Sequence, residues 1–92
     1  MIVRIMAEGQ WDVAEDQLPA LNELDARVES ALEAGHEEGF RAALATLLAA
    51  VRGGGSPVPD DTLVDSDLIL PPSDASLEEV RELLGEGGLI PG

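Results

Sequence analysis

The 92-residue sequence contains no cysteine, no lysine and no tyrosine, and it has one histidine, one tryptophan and one phenylalanine. Without cysteine, the chain has no disulfide framework and no thiolate metal site. A single histidine excludes a metal site built from several histidines. Because aromatic residues are almost missing, the core of this small chain must be built from aliphatic side chains.

Positive charge is also scarce. Five arginines face nineteen aspartates and glutamates, and the formal net charge is −14. Such a surface repels phosphate backbones and anionic bilayers, which disfavours direct binding to nucleic acid or lipid. Three interpretations of the charge remain open: a basic protein partner, cation binding, or solubility alone.

Long hydrophobic runs are absent as well. The first six residues lack the basic start, the long apolar region and the cleavage site of a signal peptide. The longest nearly apolar run, residues 42–51, has about half the length needed to cross a bilayer. We therefore expect a cytoplasmic protein with no direct membrane insertion.

Residues 16–52 carry the longest regular pattern, which predicts two amphipathic helices folded back on each other as an antiparallel hairpin. The sequence predicts Asp16 as the N-cap of the first helix, Gly35 as the residue that ends it, and His36 or Glu37 as the start of the second. Apolar residues recur at steps of three and four on both sides of the turn: Leu18, Leu21, Leu24, Val28 and Leu32, then Phe40, Leu44, Leu47, Leu48 and Val51.

Shorter apolar runs predict strands around this hairpin. Residues 2–6 and 11–13 suit two strands joined by a turn at residues 8–10, and residues 68–70 suit a third that pairs with the first. Ser76 and Glu79 form a capping-box pattern that predicts a last helix, ended by Gly85.

The predicted fold class is α+β, with a small antiparallel sheet of two or three strands packed on the helical hairpin and a short C-terminal helix. We expect one domain, residues 1–92, in four segments. These are a β-hairpin (1–14), the helical hairpin (15–52), a flexible acidic linker (53–67), and a short strand with the C-terminal helix (68–92).

No catalytic or cofactor-binding motif stands out. His36 suits a helix start, and no serine or threonine lies in a nucleophile context. The densest group of carboxylates, at residues 60–67, could attract a hard cation. However, this segment lacks the glycine and the glutamate of an EF-hand loop at their positions. We therefore predict no catalytic residue, no cofactor and no metal, and we favour solvated carboxylates over a weak cation site. The group consists of Asp60, Asp61, Asp65 and Asp67.

Seven short segments together form a pattern that extends, in order, over nearly the whole chain. They are residues 1–6 (MIVRIM), 8–11 (EGQW), 21–25 (LNELD), 33–35 (EAG), 66–72 (SDLILPP), 77–84 (LEEVRELL) and 88–91 (GLIP). In this combination the chain resembles the PspA-associated proteins (PspAA). The resemblance implies a small, non-enzymatic accessory component of a phage-shock-type envelope stress system. Its partner would be a PspA-like coiled-coil protein, through which it would lie peripheral to the inner membrane, and a homodimer is compatible with this role.

The candidate partner-binding residues are Glu8, Trp11 and Asp67, which lie in family-like segments, and Asp65, which directly precedes one of them. Trp11 is a candidate anchor for a partner, and its alternative role is a lid over the gap between β-hairpin and helices. Two other functions stay open. One is an acidic decoy that inhibits a basic nucleic-acid-binding protein, and the other is a weak divalent-cation-binding or catalytic domain.

Overall fold

The computed structural model describes residues 1–59 and 64–84, of which residues 83 and 84 are described by their backbone alone. Its elements, in chain order, are strands and helices that alternate in blocks. They are β1 (Ile2–Ile5), β2 (Gly9–Val13), a 3₁₀ turn (Glu15–Gln17), α1 (Leu18–Ala34), α2 (Glu37–Gly54), β3 (Gly55–Val58), β4 (Leu68–Leu70) and α3 (Leu77–Leu84).

The strands form one four-stranded sheet in the order β3-β2-β1-β4. β1 pairs with β2 and β2 with β3 in antiparallel fashion, whereas β4 runs parallel to β1. The α+β class and the pairing of β4 with β1 are confirmed, but the sheet is mixed and larger than the predicted antiparallel one. Strands joined by a tight turn must be antiparallel, whereas β4 reaches β1 after α1, α2 and β3, and so long a connection permits the parallel direction.

Strand β3 corrects the predicted linker. Gly55–Val58 follows α2 directly and lies at the edge of the sheet, although its Gly-Ser-Pro sequence is typical of a linker. Pro57 is tolerated because β3 is an edge strand. Glycine is required at position 55 because α2 and β3 approach closely there. A Cβ on Gly55 would lie 2.8 Å from the carbonyl oxygen of Val51. Residues 60–63 of the predicted linker lie outside the described residues.

The helical hairpin packs on one face of the sheet, and the predicted apolar stripes supply most of the core. On α1, the inward positions include the carboxylate residue Asp25, which is 4% exposed, whereas Leu24 is only half-buried. The buried apolar residues are Val3, Ile5, Val13, Leu21, Val28, Leu32, Phe40, Leu44, Leu47, Leu48, Val51, Leu70, Ala75 and Val80.

The ends of the hairpin helices confirm two of the three predicted boundary residues. Gly35 ends α1 in the left-handed conformation (φ 67°), and His36 caps α2 by accepting a hydrogen bond at Nδ1 from the Gly39 backbone N–H, at 3.0 Å. Asp16 as the N-cap of α1 was wrong. It lies inside the 3₁₀ turn, where Gln17 N–H donates to the Ala14 carbonyl, so backbone bonds replace the expected side-chain cap.

The β1–β2 turn also differs from its prediction. Residues 6–8 form the turn, and Gly9 already pairs with Ile5. The Glu8 N–H donates to the Ile5 carbonyl at 3.0 Å, and Ala7 has a positive φ of 70°.

The capping box of α3 is confirmed. Glu79 N–H donates to Ser76 Oγ at 3.1 Å, and Ser76 N–H donates to the Glu79 carboxylate at 3.4 Å. Arg81 donates to the Leu32 carbonyl, which ties α3 to the end of α1. The predicted helix end at Gly85 and the family-like residues 88–91 lie outside the described residues.

A candidate docking surface on the open face of the sheet

The two faces of the sheet have different surroundings. Side chains alternate along each strand, and the face that lies against the helices bears Val3, Ile5 and Leu70, which are fully buried. The other face carries no helix in the part of the chain that the structure describes. We call it the open face, and register and alternation assign it Ile2, Arg4, Gln10, Asp12, Ser56, Val58 and Ile69.

Residues 64–67, which we call the strap, cross part of the open face before β4 begins. Gln10 Nε2 donates to the Val64 carbonyl at 3.1 Å and to Ser66 Oγ at 2.8 Å. Arg4 Nε also donates to Ser66 Oγ, at 3.3 Å. Asp67 and Ile2 exchange two hydrogen bonds of 2.8 Å, one from the Asp67 N–H and one to its carboxylate. Polar contacts with β1 and β2 therefore hold the strap in place.

Three large apolar side chains are exposed among residues 1–59 and 64–82, and all three lie on or beside the open face. Ile69 of β4 is 59% exposed, Met6 is 47% exposed and Val64 of the strap is 38% exposed. Met6 follows β1 and continues the alternation of Ile2 and Arg4. Single exposed apolar residues are ordinary on protein surfaces, whereas their concentration on one side indicates an interaction surface. We call Met6, Val64 and Ile69 the apolar patch.

Charged groups of both signs lie on the open face and the strap. Asp65 of the strap is exposed, and Asp12 on β2 lies 3.5 Å from the N-terminal amino group with its side chain 64% exposed. Arg4 is the one basic residue assigned to the open face, and its Nε is engaged by Ser66. The open face and the strap therefore combine exposed aliphatic side chains with both acidic and basic groups.

The four predicted partner-binding residues do not lie together. Asp65 and Asp67 both belong to the strap. Glu8 lies in the β1–β2 turn, where Arg52 at the end of α2 donates to its carboxylate, with Nε 2.9 Å from Oε1. Trp11 pairs with Val3 and Pro57, so its half-buried ring packs with the core on the helix-facing side.

Sequence reasoning missed the apolar patch. Leu68, Ile69 and Leu70 predicted a strand, but an apolar run does not reveal which of its members is covered. Side chains alternate between the two faces of a strand, but which face is covered becomes known only when the position of the helices is known.

The described residues also form two shallow concavities on the helical side of the molecule. A shallow groove of about 370 Å³ lies between α1 and α2, lined mainly by small residues such as Ala31, Gly39 and Ala42. A second concavity of about 290 Å³ lies where α2 and α3 begin, beside Glu37 and Glu78. Within residues 1–59 and 64–84, no group of three or more histidine, aspartate or glutamate side chains could hold a metal ion. Nor does any helix of these ranges have the length and apolarity to cross a membrane.

Comparison with known proteins supplies the family. The sequence model of the family described as PspA-associated protein matches residues 1–92, the whole chain. The chain belongs to the PspA-associated protein family. No curated protein and no solved structure matches it. For this PspA-associated protein, the candidate site is the open face of the sheet with its apolar patch.

Proposed function

We propose that this PspA-associated protein is a non-enzymatic adaptor that binds and regulates a PspA-like coiled-coil protein in the envelope stress response. The observation that carries the proposal is the family match over residues 1–92, whose description names association with PspA. The apolar patch on the open face supports it, because exposed aliphatic side chains concentrated on one side are typical of a surface that binds another protein.

The roles of the polar side chains also support a binding function. His36 Nδ1 caps α2, Thr46 Oγ1 donates to the Ala42 carbonyl at 2.9 Å, and Ser76 Oγ caps α3. Each of these groups, which could otherwise serve as a base or a nucleophile, is engaged with the backbone of its own helix. A catalytic role would require a nucleophile and a base within reach of each other.

The charge of −14 fits a partner that itself binds anionic membranes. Such a partner carries basic segments, and electrostatic complementarity speeds encounter and favours the correct partner. The adaptor would then work in the cytoplasm and reach the inner membrane only through the partner.

The test is a direct binding measurement with two purified proteins. The partner is the PspA-like protein encoded beside this chain, and the assays are size-exclusion chromatography with light scattering and isothermal titration calorimetry. We expect a complex that weakens as salt rises above about 0.15 M. Absence of a complex at low salt overturns the proposal. Recovery of a DNA- or RNA-binding protein in a pull-down, without a PspA-like protein, would favour the decoy function instead.

A further inference from the structure

The start of α2 depends on one ionisable side chain. His36 is the single histidine of the chain, and its Nδ1 accepts a hydrogen bond of 3.0 Å from the Gly39 N–H. A ring nitrogen that accepts a hydrogen bond carries no hydrogen, so the imidazole must be neutral, with its proton on Nε2. A serine or asparagine cap keeps its acceptor oxygen when the pH falls, whereas a histidine cap loses its acceptor on protonation.

The imidazole of His36 occupies the space that a side chain at position 39 would need. A Cβ added to Gly39 would lie 2.7 Å from His36 Nδ1 and 3.6 Å from Cε1 and Cγ. Glycine at this position therefore allows the ring to reach the N–H that it caps. Because glycine is a weak helix former, the same residue makes the first turn of α2 depend more on its cap.

The backbone hydrogen bonds at the α1–α2 turn do not involve a titratable group. The His36 N–H donates to the Ala31 carbonyl at 3.0 Å, and the Phe40 N–H donates to the His36 carbonyl at 2.9 Å. Phe40 is also fully buried in the core. Loss of the side-chain cap can therefore loosen residues 37–39, but it cannot unwind α2 beyond them.

Charged side chains around the turn offer a protonated imidazole other partners. The two guanidinium groups are already engaged. Arg41 lies 3.1 Å from the Glu37 carboxylate, and Arg81 donates to the Leu32 carbonyl. The remaining charges are carboxylates, which attract an imidazolium, whereas the N-terminal end of a helix carries partial positive charge and repels it. Both effects favour departure of a charged ring from the cap. The charged groups are Glu33 of α1, Glu37, Glu38 and Arg41 of α2, and Glu78, Glu79 and Arg81 of α3, whose first turn lies beside this turn.

We propose that His36 is a pH-sensitive cap of α2. The neutral ring caps the Gly39 N–H and holds the first turn of the helix. As the pH falls from about 8 to about 5, the range in which histidine changes its charge, the ring takes up a proton and releases the Gly39 N–H. The charged ring then turns towards the surrounding carboxylates, and residues 37–39 loosen. This device is independent of the proposed function, because it requires no partner.

The experiment follows the backbone amide of Gly39 and the ring of His36 by nuclear magnetic resonance while the pH is lowered from about 8 to about 5. We expect the Gly39 amide to lose the signature of a hydrogen bond at the midpoint at which the ring titrates. The Cα shifts of residues 37–39 should lose helical character at the same midpoint. A Gly39 amide that keeps its hydrogen bond while His36 titrates would overturn the proposal.

Two variants separate the cap from the surrounding carboxylates. His36→Asn retains every carboxylate and supplies a cap that does not titrate, so its Gly39 amide should stay hydrogen-bonded throughout. Gly39→Ala retains the histidine but displaces its ring from the cap, so the amide at position 39 should not follow the ring titration. A response in either variant as large as in the wild type would assign the change to charge alone and overturn the proposal. Far-UV circular dichroism shows that both variants fold.

Discussion

Strand β4 allows a direct test of which face of the sheet is covered. Leu70 is fully buried against the helices, whereas its neighbour Ile69 lies on the open face and is 59% exposed. Both positions share the same strand, the same partner β1 and nearly the same side-chain volume. Leu70→Ala and Ile69→Ala therefore differ mainly in what surrounds the side chain that is removed.

The expected losses of stability differ severalfold. Leucine-to-alanine changes in a core cost about 2–5 kcal/mol, from lost transfer energy and the cavity that remains. For a chain of this length, the free energy of unfolding is roughly 5–14 kcal/mol, so Leu70→Ala removes a large part of it. Ile69→Ala should cost no more than about 1 kcal/mol, because little burial is lost and the strand preference of isoleucine contributes the rest.

Urea denaturation, followed by far-UV circular dichroism and by the fluorescence of the single tryptophan Trp11, measures both changes. In thermal unfolding, 1 kcal/mol corresponds to about 4–8 °C for a domain of this size. The midpoint should therefore fall by at least about 8 °C for Leu70→Ala and by less than about 8 °C for Ile69→Ala. Each denaturant slope should equal that of the wild type, so that the midpoints report stability alone.

Equal destabilisation by the two substitutions would refute the reasoning. It would mean that Ile69 is covered in the isolated protein and that the apolar patch is not exposed there. A small effect of both substitutions would instead mean that β4 contributes little to the fold.

Three further predictions concern the turns, caps and ion pairs. Ala7→Gly should raise stability by about 1 kcal/mol in urea denaturation, because Ala7 has a φ of 70° that costs an alanine about that much, and a decrease would contradict the turn geometry. Ser76→Ala should cost about 0.5–2 kcal/mol by removing the cap of α3, and Ser76→Asp should restore most of that loss. A double-mutant cycle with Glu8→Gln and Arg52→Gln should give a coupling of about 0.5–1 kcal/mol that falls with salt, and zero coupling at low salt would show that the pair does not form in solution.

The local rules of the sequence were most successful within the helical hairpin and the capping box. Gly35 and Ser76 act through bonds to residues within four positions along the chain, so their roles are encoded locally. The apolar stripes of α1 and α2 likewise predicted most of the buried residues. The prediction that Asp16 is an N-cap was wrong, because a 3₁₀ turn forms there instead of a side-chain cap. The residue pattern did not distinguish these two structures.

The candidate site was predicted only in part. Asp65 and Asp67 do lie in the strap beside the open face, but Asp67 is engaged with the backbone of Ile2. Glu8 is held by Arg52, and Trp11 packs with the core. Glu8 and Arg52 lie more than forty positions apart in the chain, and no local sequence pattern predicts such a contact.

By itself, the sequence determined the helical hairpin, the two capping residues His36 and Ser76, the near absence of aromatic residues from the core, and the strong negative charge. Each of these depends on the chemistry of neighbouring residues or on composition. The tertiary structure alone decided that Gly55–Val58 is a strand, that β4 runs parallel to β1, and that Ile69 is exposed while Leu70 is buried. The physical reason is that strand pairing and the covering of a face join distant segments, so their free energy depends on how the hairpin lies on the sheet.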